Sequence, residues 1–170
     1  MLKHLLVPLD GSELAYNALE YIGDLIDATG TVTLITVLEN PELPVYDFYP
    51  MPTAPLMDYE KMFEAAKVRA DEYLRHVAKE LTEKHQFKVL TEIETGDPAT
   101  AIVESAKKHD ISAIVMCTHG RSGLSRWLFG SVTEKVLMAS VCPVYVIPAR
   151  KRALNTQEMK VARQTATVPS

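Results

Sequence analysis

A chain of 170 residues with 47% hydrophobic and 24% charged residues has ordinary globular usage and length enough to bury one substantial core, which excludes wholesale disorder and fibrous structure. A net charge of −4 and the lack of a long basic run remove the electrostatic drive toward nucleic acid or anionic membranes, so neither is expected as a partner. No run approaches the roughly 20 apolar residues of a membrane span, Met1 to Asp10 is too short for a secretory signal, and Cys117 and Cys142 have neither metal nor redox-pair spacing. The chain therefore reads as cytoplasmic.

Short β-branched runs alternate with helical patterns, the mark of βαβ units around a parallel sheet. The first strand is expected over Leu2 to Leu9. Asp10-Gly11-Ser12 turns into a helix with Leu14, Ala18, Ile22, Leu25 and Ile26 on one face and Gly30 as its stop, and Thr31 to Leu38 forms the second strand. Residues 39–57 contain Pro41, Pro44, Pro50, Pro52 and Pro55, each lacking a backbone donor, and read as an inserted loop; with Tyr46, Phe48 and Tyr49 it is either a lid, a partner surface or a plain connector. A long helix then runs from near Asp58 to near His85, with Met62, Ala66, Ala70, Tyr73, Val77 and Leu81 as its apolar stripe.

Phe87, Val89, Thr91 and Ile93 alternate with charged residues, as in an edge strand with one wet face. Asp97 suits a helix N-cap and Pro98 the first helical position, with Ala99, Ile102, Val103 and Ala106 turned inward. Ile111 to Cys117 reads as a buried central strand. A loop follows from Thr118 to Gly130, then a last helix, then an edge strand from Pro143 to Pro148; residues 150–170 form a polar tail.

The functional signal lies between Cys117 and Thr133. Ser131 and Glu134 have capping-box spacing, so a helix starts just after Gly130. Its unpaired N–H groups and about half a positive charge favour a phosphate. Gly120 and Gly130 let backbone approach such an anion, and the Ser131 and Thr133 hydroxyls add donors. In an open doubly wound sheet, ligands sit beyond the carboxyl ends of the strands where the winding reverses. Asp10 would then face the glycine-interrupted loop across one crevice. That suits a nucleotide, with a divalent metal, Mg2+ or Mn2+, near Asp10 as an option. Gly120, Gly130 and Ser131 also fit plain turn and cap roles, and Asp10 a turn or cap role. Cys117 is read as a small apolar filler rather than an acidified redox thiol. His119 is read as a surface residue, and Arg121 and Arg126 either as phosphate contacts or as surface residues.

The chain resembles the universal stress protein family, in its nucleotide-binding branch. The resemblance covers residues 1–149 and rests on Val7-Pro8-Leu9-Asp10-Gly11-Ser12, on Gly96-Asp97-Pro98-Ala99, and on Gly120 followed after nine residues by Gly130-Ser131-Val132-Thr133. It implies a five-stranded parallel sheet of order 3-2-1-4-5 with helices on both faces, homodimers through the last strand, and ATP or AMP in the crevice. Carried over by position, it implies that Pro8, Leu9 and Asp10 line the site, Val37 touches the base, Met116 and the Cys117 backbone flank the ribose, and Gly120, Gly130, Ser131, Val132 and Thr133 hold the phosphates. Cys117 stands where the family pattern has a first glycine, adding bulk beside the ligand.

Three functions follow. The first is a nucleotide-binding stress or signalling protein, with slow ATP hydrolysis at most, because no Walker-type lysine follows the glycine loop. The second is an adenylating enzyme, disfavoured because Asp10-Gly11-Ser12-Glu13 lacks the Ser-Gly-Gly loop of such ligases. The third is a nucleotide-independent adaptor dimer.

Overall fold

A computed structural model describes residues 1–39, 54–118 and 130–148. Most of the proline-rich segment, the loop of 119–129 with Gly120, His119, Arg121 and Arg126, and the tail from 149 lie outside the described residues. Five strands, β1 (Leu2–Pro8), β2 (Ile26–Leu38), β3 (Lys88–Thr95), β4 (Ala113–Thr118) and β5 (Val144–Pro148), pair in parallel in the order β3-β2-β1-β4-β5. β3 and β5 are the edges, as their sequences led us to expect.

Strand alternation sends the core to both faces. Leu5, Val7, Val32, Leu34, Ala113 and Val115 point to one side, where they meet Ile22 and the long helix α3 (Ala54–Lys84) through Leu74, Val77 and Leu81. Leu6, Ile35, Ile114 and Met116 point to the other, against Ile102 and Val103 of α4 (Pro98–Lys108) and Val136 of α5 (Ser131–Ala139). The sheet is thus covered on both sides, and the fold is an open α/β sheet with helices on both faces.

The segment after β1 departs from expectation. Instead of one helix ended by Gly30, it forms α1 (Glu13–Tyr16), a 3-10 stretch (Asn17–Tyr21) and α2 (Ile22–Leu25), and β2 begins at Ile26. The apolar stripe is retained, since Ala18, Ile22 and Ile26 are all buried, but the chain turns extended at Ile26, with φ −96 and ψ 151. Gly30 has a different job: a Cβ there would lie 2.6 Å from Ile26 Cγ1, so the glycine admits the Ile26 side chain rather than stopping a helix. Gly23 likewise admits His85, whose ring stacks on Phe87 with 4.8 Å between centroids. α3 also starts earlier than expected, at Ala54, because Pro55 falls in the first turn, where a missing N–H costs nothing.

Candidate functional site

The crevice originates in strand pairing. β1 pairs with β2 as far as Pro8 with Ile35, whereas its partners on β4 are only Leu5 with Ala113 and Leu6 with Ile114. Beyond that point β1 and β4 part, at the place where strand order reverses.

The first wall is the turn after β1. Leu9 N–H donates to Ile35 O at 2.8 Å and Thr36 Oγ1 donates to Leu9 O at 2.9 Å, fixing the strand end to β2. Asp10 Oδ1 accepts from Ser12 N–H at 2.9 Å, and Gly11 between them has φ 81, a conformation costly for any side chain with a Cβ. Ser12 Oγ in turn accepts from Ala15 N–H at 3.1 Å. Asp10 is therefore a turn residue, Ser12 is the cap, and the exposed Asp10 carboxylate keeps lone pairs for a ligand.

The opposite wall is the start of α5. Gly130 is the N-cap, in extended conformation and with no side-chain cap, and its carbonyl accepts from Glu134 N–H at 2.9 Å. Ser131 is thus the first helical residue and not the cap, and among the described residues no hydroxyl covers the first amides of the helix. A Cβ built on Gly130 meets nothing within 4 Å; the glycine leaves open space in front of those amides. The start of α4 borders the same crevice through Pro98, its N-cap Asp97 accepting from Thr100 N–H at 3.0 Å. Lys135 of α5 reaches Asp97 at 3.2 Å and ties the two helix starts together.

Between these walls lies a cavity of about 410 Å³, within the range of small-molecule sites. Of the residues singled out from the sequence, Pro8, Leu9, Asp10, Val37, Met116, Cys117, Gly130, Ser131, Val132 and Thr133 all line it; Gly120 lies outside the described residues. Ser12, Ala15, Ile35, Glu39, Pro98 and Ile102 also line it and were missed. Two of these had a signal in the sequence: Ile35 precedes Val37 by two on one strand face, and Ile102 follows Pro98 by four on one helix face. Glu39 adds a second carboxylate to the lining.

Cys117 is half-buried, and burial, with the Glu20 charge, pushes its thiol up to about 11. It is a filler of the wall and not an acidified thiol. Among the described residues no group of three or more His, Cys, Asp or Glu side chains could hold a metal, so a divalent ion at Asp10 would need oxygen ligands from a bound phosphate and water. A second, open groove of about 560 Å³ between α4 and α5 mixes Asp97 and Glu104 with Lys107 and Lys135. Its acidic and basic groups oppose one another, and none of its lining residues comes from a strand, so the smaller cavity is the candidate site. No helix among the described residues is long and apolar enough to cross a membrane.

Comparison with known proteins agrees with this architecture. A family model described as the universal stress protein family matches residues 1–148. Universal stress protein MJ0531 of Methanocaldococcus jannaschii is 31% identical over 156 residues, or 88% of this chain and 84% of that protein. The solved structure of the MJ0577 protein of the same organism has a TM-score of 0.72 at 30% identity, covering 90% of this chain and 99% of that one. Two more distant structures share the fold. One is a universal stress protein in complex with cAMP (19% identity, TM-score 0.60, 88% and 98% covered) and the other an Arabidopsis thaliana family protein with AMP bound (18%, 0.61, 92% and 98%). On the family match over nearly all described residues, the chain belongs to the universal stress protein family.

Proposed function

We propose that this protein binds an adenine nucleotide, ATP or AMP, in the crevice between β1 and β4, and that occupancy changes its conformation or partners in a cytoplasmic stress or signalling role. The observation that carries this reading is the uncapped start of α5 facing the Asp10 carboxylate across the cavity. The amides of Ser131, Val132 and Thr133, which no described side chain caps, suit phosphate oxygens, Asp10 suits ribose hydroxyls, and Val37, Ile35 and Met116 offer an apolar bed for a base. Mg2+ or Mn2+ would accompany a triphosphate, with Asp10 as its protein ligand. Family structures holding cAMP or AMP lend the ligand class as an expectation.

Hydrolysis would be slow at most. Lys135, one turn into α5, is paired with Asp97 instead of standing free for a phosphate. Leu137 and Met138 at the end of α5, Val141 just before β5 and Tyr145 on that edge strand are exposed, which supports a homodimer formed there. Calorimetric titration of ATP and AMP tests the reading. Saturable binding by the parent protein is expected; a folded protein that takes up neither would leave the adaptor dimer as the function.

A further inference from the structure

β2 runs on past the end of β1: Pro8, the last residue of β1, pairs with Ile35, whereas β2 continues to Leu38 with β3 still beside it. Ile35, Val37 and Glu39 alternate along this overhang, and all three line the crevice. Ile35 and Val37 belong with Ile102 and Met116 to the core cluster on the α4 side, so the overhang meets the crevice as an apolar strip. Glu39 ends that strip, about 6.6 Å beyond Val37 at two strand steps. The chain is pinned immediately before it, because Leu38 pairs with Thr95 and its carbonyl accepts from Gly96 N–H at 3.0 Å. Asp10, the other carboxylate of the lining, sits on the separate wall made by the turn after β1. A planar base lying on the strip brings one edge to the exposed Glu39 side chain. A carboxylate accepts hydrogen bonds and cannot donate, so it favours an edge carrying an amino group over one carrying a carbonyl oxygen. Adenine has an amino group at ring position 6, where guanine and hypoxanthine have an oxygen.

We propose that Glu39 is a specificity-determining residue whose carboxylate accepts a hydrogen bond from the 6-amino group of the base, selecting adenine over 6-oxopurines. The inference rests on the nucleotide reading above and names the side chain that reads the base. The two carboxylates of the crevice then divide the ligand between them, Asp10 taking the ribose hydroxyls and Glu39 the base edge.

The test is calorimetric titration of the parent, Glu39→Ala and Glu39→Gln with AMP and with IMP, which carries oxygen in place of the 6-amino group. The parent is expected to bind AMP about tenfold more tightly than IMP. Glu39→Ala should lose that preference by weakening AMP alone, and Glu39→Gln, whose amide can also donate to a 6-oxo group, should narrow or reverse it. Equal affinities in the parent, tighter binding of IMP than AMP by the parent, or a preference for AMP that survives in Glu39→Ala would each overturn the proposal while leaving the nucleotide reading intact. Absence of binding of either nucleotide by the folded parent would instead overturn that reading, and this inference with it.

Discussion

At the level of single residues, the site depends on what is missing as much as on what is present. Gly130 has φ −68, which any residue can adopt, so its value lies in the absent side chain and the open space in front of it. Gly130→Trp should therefore fold normally, with an unchanged far-ultraviolet circular dichroism spectrum, yet lose nucleotide binding at least a hundredfold on the order of the affinity of the bound phosphates; retained affinity would move the ligand elsewhere. Cys117 shows the opposite case, a side chain where the family pattern has a glycine. With its thiol raised to about 11 it is almost wholly protonated near neutrality. In a Cys142→Ser background, alkylation by iodoacetamide at about pH 8 should run well below the rate of free cysteine and climb as pH approaches the raised value; a rate like that of free cysteine would contradict the burial that causes the shift. These local roles were only half legible in the sequence. Asp10 and Gly130 could be placed at the crevice, but the shift of the cap from Ser131 to Gly130 could not, because the Ser131–Glu134 spacing matches a capping box while glycine is itself an acceptable N-cap, and spacing alone does not choose between them.

Among the elements, the helical face that carries α1 and α3 is joined by both packing and a polar tie. Leu74 is fully buried between α3 and the sheet, and Leu74→Ala should cost about 2–5 kcal/mol in urea unfolding, since the sheet behind it cannot collapse to fill the hole. A change under 1 kcal/mol, on the order of a surface substitution, would mean that α3 is not seated as described. The polar tie is Tyr16 to Glu80. That hydrogen bond, reinforced by burial, pushes Tyr16 up to about 12 from an ordinary value of 10.0. A folded-state pKa above the unfolded one stabilises the fold fully below the unfolded value and loses that contribution as pH rises through the folded one. Stability should therefore fall less steeply between pH 10 and 12 in Tyr16→Phe than in the parent; equal slopes would show that the hydroxyl is not so held. The broken helix ahead of β2 was hidden from the sequence because apolar spacing is similar for α and 3-10 turns over so short a stretch. Gly30 misled for a related reason: a glycine that ends a helix and one that admits Ile26 look alike until the contact is known.

For the whole molecule, the alternation of β-branched runs with helical stripes was enough to specify a parallel sheet covered on both faces, because burial on both sides leaves strands such as Leu5-Leu6-Val7 apolar throughout. Strand order was not legible from periodicity and came from the family resemblance. The early parting of β1 from β4 was legible from neither, since it is set by register. At this scale the proposed dimer is directly testable: sedimentation should give a dimer for the parent and a monomer for Val141→Arg with Tyr145→Arg, whereas a monomeric parent would leave those exposed side chains without a partner. Within the proposed site, the amides opening α5, which no described side chain caps, would hold a phosphate opposite Asp10. The most direct test of this contact is the backbone amide spectrum recorded by nuclear magnetic resonance as AMP or ATP is added. The largest shifts are expected at Ser131, Val132 and Thr133 and around Asp10; shifts confined to Thr100, Lys107 and Ala139 of the α4–α5 groove, or none at all, would contradict it.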